Sequence, residues 1–256
     1  MIADDLLSSG DLLGARAALV ETIKRAPEDP GARMFLWQVM AVQGDWDKAA
    51  IQLRSLASVA GETQMLATVY SQAIAAEKQR AEAYGGRAPF PVLVSSSPWI
   101  DTLAQGLAAL ARGEAEEGAR LRDEAFDAAG DTPGEVDGHR FGWIADVDPR
   151  LGPCFEAVAA GRWGLIPFEA VSHIKTEGPR DLRDVVWLPV ELTLRSGQSA
   201  AALLPARYPG AETAADSVKL GRSTEWRDDV PFGQRTWATD DGGERGLLEF
   251  REIVMA

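Results

Sequence analysis

Residues Ser8–Leu19 read SSGDLLGARAAL, and Val42–Leu53 read VQGDWDKAAIQL. Both phrases carry Gly-Asp, then an Ala five residues after the Gly, then a Leu four residues further on. Gly10 and Gly44 lie 34 residues apart, a period typical of stacked helix pairs. Each position has a mechanical role. The Gly closes a turn whose backbone angles a Cβ disfavours. The Ala lets two helices approach, and the Leu fills the space between them. A chain that says this twice is building helical hairpins meant to stack.

The tetratricopeptide pattern adds a Pro that ends the second helix. Gly10, Ala15, Leu19 and Pro27 fill all four places, whereas Gly44, Ala49 and Leu53 fill three, with Gly61 standing where Pro belongs. Between the copies, ARMFLWQVMAV supplies the first helix of the second unit. A weaker third copy starts at Trp99, where Leu103, Leu107 and Leu110 recur at helical spacing and Gly113 makes the turn. From Thr63 to Tyr84 the repeat fails, because Lys78 holds the glycine position. This span reads as one long helix with Met65, Val69, Ala73, Ala76 and Ala83 available for packing. The segment GGRAPFPVLVSSSP, residues 85–98, is an extended connection. The reading is a tetratricopeptide-like helical domain over residues 1–130.

Beyond Gly130–Pro133 the pattern changes. Asp137-Gly138 is a tight-turn dipeptide between residues suited to a hairpin. CFEAVAAG reads as a short helix. The runs RWGLIPF, VSHIKTE, DVVWLPVELTL, QSAAALLPARY, QRTWATD and LLEFREIVM read as strands bounded by Gly, Pro and Asp. Residues 131–256 are therefore expected to form a β-rich domain, barrel-like or α+β, and the whole chain an α+β protein.

Composition narrows the function classes. Lys and Arg number 26 against 39 Asp and Glu, giving a net charge of −13. Binding to nucleic acid or anionic lipid needs clustered cations, which this chain lacks. The same charge would attract a basic partner segment. Cys154 is the sole cysteine, so no intrachain disulfide forms, which fits a reducing compartment. MIADDLLSSGD carries acids where a secretory leader carries bases, and no run is long enough for a membrane span. A cytoplasmic protein is expected.

No catalytic or metal motif is spelled out. His139 and His173 lack metal-ligand spacing, and no second Cys exists to build a structural zinc site. Cys154 reads as a small apolar packing residue. Asp146 and Asp148 in DVDPR lack the remaining calcium-loop ligands, so they are expected to cap a turn or pair with Arg150. Trp37 and Trp46 sit at helix-packing positions. Trp143, Trp163 and Trp187 stand among Arg and Asp, a composition found at interface hot spots. In GPRDLRD, Arg180 and Arg183 alternate with Asp181 and Asp184, which internal ion pairing explains as well as docking does.

Several long phrases of the second half, DGHRFGWIADVDPRLGP, GRWGLIPFEAVSHIKTEGPRDLRDVVWLPVELT, ARYPGAE and GQRTWATDDGGERGLLEFREI, resemble the ImpE family, also called TagJ. The helical repeats before them are similar to that family too. It departs from the family at LRSGQS, Leu194–Ser199, where an aromatic and a Gly-Gly turn are expected. The resemblance implies a cytoplasmic, non-enzymatic accessory protein of type VI secretion systems. It implies binding to the N-terminal helix of the small contractile-sheath subunit and association with the AAA+ ATPase that recycles sheaths. It brings no catalytic residue, cofactor or metal.

Two regions are candidates for the partner helix. First-helix residues of the repeats offer Arg33, Gln38 and Gln43. The β-rich half offers Trp143, Arg150, Arg180, Arg183 and Trp187, favoured because these residues lack an evident local reason to cluster. Two other readings stand beside this one: a general tetratricopeptide-like scaffold for another assembly, and a hydrolase using Cys154 or His139 with Asp146 or Asp148.

Overall fold

The computed structural model describes residues 2–240 and 242–256. Helices come first: α1 (Ile2–Ser8), α2 (Leu12–Arg25), α3 (Pro30–Val42), α4 (Trp46–Val59), α5 (Gln64–Tyr84), α6 (Trp99–Ala111) and α7 (Ala115–Ala128). They pack as successive pairs α1–α2, α3–α4 and α6–α7. Each pair turns on a glycine at positive φ: Gly10 at 86°, Gly44 at 73° and Gly113 at 82°. Ala15, Leu19, Ala49 and Leu53 are buried, as their spacing predicts. Asp11 and Asp29 cap α2 and α3 by accepting from Gly14 N and Ala32 N. The long α5 stands alone after a 3₁₀ turn at 61–63. Its Ala73, Ala76 and Ala83 are buried as expected, but Met65 and Val69 are exposed.

The strands are β1 (Gly134–Val136), β2 (His139–Phe141), β3 (Ile144–Asp146), β4 (Cys154–Ala159), β5 (Arg162–Pro167), β6 (Val171–Lys175), β7 (Trp187–Leu194) and β8 (Ser199–Pro205). After a short helix α8 (Asp216–Lys219) come β9 (Thr224–Arg227), β10 (Val230–Gly233), β11 (Thr236–Thr239), β12 (Glu244–Gly246) and β13 (Glu252–Met255). The main sheet is antiparallel with order β2-β1-β13-β6-β7-β8-β4-β5. Its ends do not pair among the described residues, so it is an open sheet rather than a barrel, and the chain is α+β. The hairpin at Asp137-Gly138 forms β1–β2, with both turn residues at positive φ. CFEAVAAG is a strand, not a helix. Every residue of β4 from Cys154 to Val158 is buried, because both faces of the sheet are covered there, and burial on two sides removes the alternation that marks a strand.

Alternate strand residues divide between two apolar clusters. Val158, Trp163, Leu165, Trp187 and Leu203 pack against the helices. Phe155, Ala157, Ile166, Leu188 and Leu204 pack on the opposite face with Phe168, Trp237 and Phe250. A three-stranded sheet, β12-β11-β3, closes that second layer. The first cluster is thus continuous from the helices into the sheet. The connection 85–98 joins them as well: Leu93 N donates to Leu165 O at 2.9 Å, and Leu165 N to Pro91 O at 2.8 Å. This pairing covers the β5 edge, which would otherwise offer unpaired backbone groups.

Candidate partner groove and the seam beneath it

Where α5 leaves the sheet, a groove opens. Its apolar part, about 400 Å³, is lined by Val69, Tyr70, Val158, Pro189, Ala201 and Leu203. A more polar part of about 460 Å³ continues past Pro189 and Val190, to Lys175, Arg180, Arg183 and Glu191. Met65 and Val69 are one helical turn apart on α5 and 75% and 39% exposed, which extends an apolar stripe along the groove's rim. The opposite wall follows from strand alternation. Pro189 and Glu191 of β7 point outward while Val190 and Leu192 fill the second core.

The structure brings Arg180 and Arg183 together on the polar wall, in and beside a 3₁₀ turn at Leu182–Val185. Asp181 and Asp184 form a capping box there. Arg183 pairs with Asp181 at 2.8 Å and lies over the Tyr70 ring at 5.0 Å. Arg180 pairs with Glu177 at 2.7 Å. The ion pairing expected of GPRDLRD is therefore present, and it leaves the Arg180 side chain in solvent at the groove's edge.

The other three favoured residues do not join this wall. Trp187 is fully buried, packed against Trp46 at 5.7 Å and Tyr70 at 5.8 Å, so it supports the groove from below and touches no solvent. Arg150 chelates Asp148 with bonds of 2.8 and 2.6 Å and stacks over Tyr84 at 5.2 Å. Tyr84 and Tyr70 are separated by fourteen residues of one helix, roughly 21 Å, which puts Arg150 far from Arg183. Trp143 is 39% exposed in the link between β2 and β3. Among the helical candidates, Gln38 is buried, Gln43 accepts from Arg16, and Arg33 donates to Gln52 and Pro27 O.

Beneath the groove, ionic groups lie in the seam between helices and sheet. Arg80 of α5 grips Glu156 of β4 through Nε to Oε1 at 2.8 Å and Nη2 to Oε2 at 2.9 Å. Arg80 also reaches Glu77 at 3.3 Å and Arg207 O at 3.0 Å. Glu77 accepts from Trp187 Nε1 at 3.1 Å, and Glu156 from Trp163 Nε1 at 2.9 Å. On the far side, Arg235 bonds both Glu156 and Asp146, and Tyr208 donates to Asp146 at 2.9 Å. All five charged groups are buried. Burial alone would raise the Glu156 pKa, but Arg80 and Arg235 outweigh it and hold that carboxyl at about 2. For Asp146, burial wins over Arg235 and pushes the pKa up to about 6. Among the described residues Arg207 makes no direct ion pair, although Glu77 and Glu212 are near enough to favour its charge. It donates instead to Val42 O at 2.7 Å and Lys219 O at 2.6 Å, capping the ends of α3 and α8, and burial lowers its pKa to about 10.

Sequence reading missed this seam. Glu77 and Arg80 are spaced as an ordinary surface pair three residues apart, and Glu156 sits in the run misread as a helix. A charged residue alone in an apolar run was the available signal. The residues named for chemistry sit elsewhere or are engaged. Asp148 caps its own turn and pairs with Arg150. His173 meets Glu252 at 2.8 Å, and His139 is exposed on β2. Cys154 is buried and donates to Leu151 O at 3.3 Å, and burial pushes its thiol well up, away from a reactive thiolate. Among the described residues no helix is long and apolar enough to cross a membrane.

Known proteins place this architecture. The family model described as "ImpE protein" matches residues 138–254. The type VI secretion system accessory component TagJ of Pseudomonas aeruginosa PAO1 is 42% identical over 99% of this chain and 90% of its own length. The crystal structure of protein VPA1032 from Vibrio parahaemolyticus superposes with a TM-score of 0.89, covering 100% of this chain and 98% of that one, at 21% identity. That likeness speaks to the fold, while the shared sequence along nearly the whole chain settles kinship: the protein belongs to the ImpE/TagJ family.

Proposed function

We propose that this protein is a cytoplasmic, non-enzymatic adaptor of a type VI secretion system. In this reading it receives the N-terminal helix of the small contractile-sheath subunit and links it to the AAA+ sheath-recycling ATPase. The observation that carries the reading is the groove beside α5. Its apolar floor, the exposed Met65–Val69 stripe and the charged end at Lys175 and Arg180 suit an amphipathic helix laid lengthwise. Kinship to TagJ, a type VI secretion accessory component, supplies the assembly in which such a helix is sought. The helical pairs and the sheet together make a rigid frame, which an adaptor needs in order to bind without paying for reordering.

Calorimetric titration with a synthetic peptide of that sheath helix tests the reading. Saturable one-to-one binding that Val69→Asp or Ala201→Glu weakens at least tenfold supports it. Binding that neither substitution alters moves the site off the groove, and no binding to any sheath or ATPase fragment overturns the adaptor reading.

A further inference from the structure

The β9–β10 hairpin has no role in the groove, yet it carries the most exposed tryptophan among the described residues. Trp226 is 53% exposed, and Glu225–Asp229 are five consecutive exposed residues. A two-stranded ribbon is marginal by itself in water, and this one is anchored at its root. Tyr208 N donates to Gly233 O at 2.9 Å, Gln234 N to Ser223 O at 3.2 Å, and Thr224 Oγ1 to Gln234 O at 2.7 Å. Near the tip, the Arg227 guanidinium lies 4.6 Å above the Phe232 ring, which ties the two strands together. The ribbon therefore holds Trp226 in place instead of folding it inward over the body.

The surroundings of that indole are acidic. Among the described residues Asp228 and Asp229 make no ion pair, whereas exposed Glu82 of α5 and Glu117 of α7 are each clamped by a neighbouring Arg. Asp228 and Asp229 occupy the turn at φ 48° and 64°, positions where Gly or Asn would sit with less strain. Glu225 and Arg227 alternate onto the other face of the ribbon, where Arg227 meets Phe232, so Trp226 stands with the two turn carboxylates Asp228 and Asp229 beside it, an apolar anchor with an acidic edge. A second copy of this chain, itself at −13, would be repelled, and so would nucleic acid or an anionic membrane.

We infer that the β9–β10 hairpin is a second docking element, which inserts Trp226 into an apolar pocket rimmed by Lys or Arg on a protein partner. The indole supplies buried area, and Asp228 and Asp229 at the turn meet the cations beside it. Such a site is independent of the groove, so the chain would hold two partners, or two parts of one, at once.

Panning a phage-displayed random 16-residue peptide library on the full chain, with depletion on Trp226→Ala, tests this directly. Peptides that survive depletion are expected to carry Lys or Arg flanking aromatic or aliphatic residues. A synthetic copy of the leading peptide should bind at least tenfold more weakly to Trp226→Ala. It should bind several-fold more weakly to Asp228→Asn/Asp229→Asn, and equally well to the groove variant Val69→Asp. Unchanged urea midpoints in the hairpin variants would show that the fold is kept. If Trp226→Ala proves unstable, the Asp228→Asn/Asp229→Asn arm decides. The inference fails if no Trp226-dependent peptide emerges, if the selected peptides are neutral or acidic, or if the Asp228→Asn/Asp229→Asn variant binds them unchanged.

Discussion

Arg80→Met is the most informative single change in the seam. It keeps the unbranched apolar stem of the side chain but removes the cation that joins α5 to β4. Glu156 loses two of its four bonds, the pair from Arg80, and keeps those from Trp163 and Arg235. Glu77 keeps the hydrogen bond from Trp187 Nε1. Two carboxylates are then buried with too little positive charge, and breaking a buried pair in this way costs about 3–5 kcal/mol. Because Arg235 remains beside Glu156, the lower end, about 3 kcal/mol, is expected. With a urea m-value of about 3 kcal/mol/M for a chain of this size, the midpoint should fall by about 1 M. Urea unfolding followed by tryptophan fluorescence reads this, since Trp163 and Trp187 both touch the network. Adding Glu156→Gln should cost less than the sum of the two single changes, with a coupling of about 2 kcal/mol. A midpoint shift below about 0.3 M, or additive single changes, would refute the view that this pair ties the halves together.

Three further outcomes follow from the same geometry. Asp146, held at about 6 against 3.8 unfolded, destabilises the fold above pH 6, and that cost is relieved as pH falls towards 4. Glu156, held at about 2 against 4.5, stabilises the fold above pH 4.5, and that contribution is lost as pH falls further. The urea midpoint should therefore rise modestly from pH 7 to about 5 and fall steeply below about 4; a steady decline from pH 7 downward contradicts this. Gly164→Ala should destabilise by roughly 2 kcal/mol, because a Cβ there would lie 2.5 Å from Pro91 O and push residues 91–93 off β5, an effect visible as faster amide exchange at Leu93 and Leu165. Cys154 should react with a thiol reagent only at the rate of global opening, so its labelling should track urea stability across the variants above; fast labelling of the folded protein would mean the thiol is accessible.

The helical hairpins were legible because their signal is local. A turn glycine, a small residue and a large one within ten positions of Gly10 or Gly44 act through neighbours in sequence. β7 and β8 were legible for a similar reason: polar residues punctuate the ends of apolar runs. The groove was not, because Val69, Ala201 and Pro189 come from three segments more than a hundred residues apart at the extremes, and each looks unremarkable alone. Trp187 and Arg150 drew notice as unusual residues for their context. Trp187 is explained by partners distant in sequence, Glu77 and Tyr70, and Arg150 by its neighbour Asp148 together with the distant Tyr84 ring. An aromatic or charged residue without a local reason marks a long-range contact as readily as it marks an open surface.

The first helices depend on residues that are made last. Leu12 N at the start of α2 donates to Asp216, 204 positions later, and Arg222 caps the carbonyls of Leu7 and Ser8 at the end of α1. On a ribosome adding about 5–20 residues per second, α1 and α2 wait on the order of 10–40 seconds for those partners. The nascent helical half spends that interval with the apolar face of α5 bare, since the strands that cover it do not yet exist. Expression yield should therefore depend on chaperone supply more than the final stability suggests, and a fragment ending near residue 130 would be sticky for the same reason that the intact chain is not.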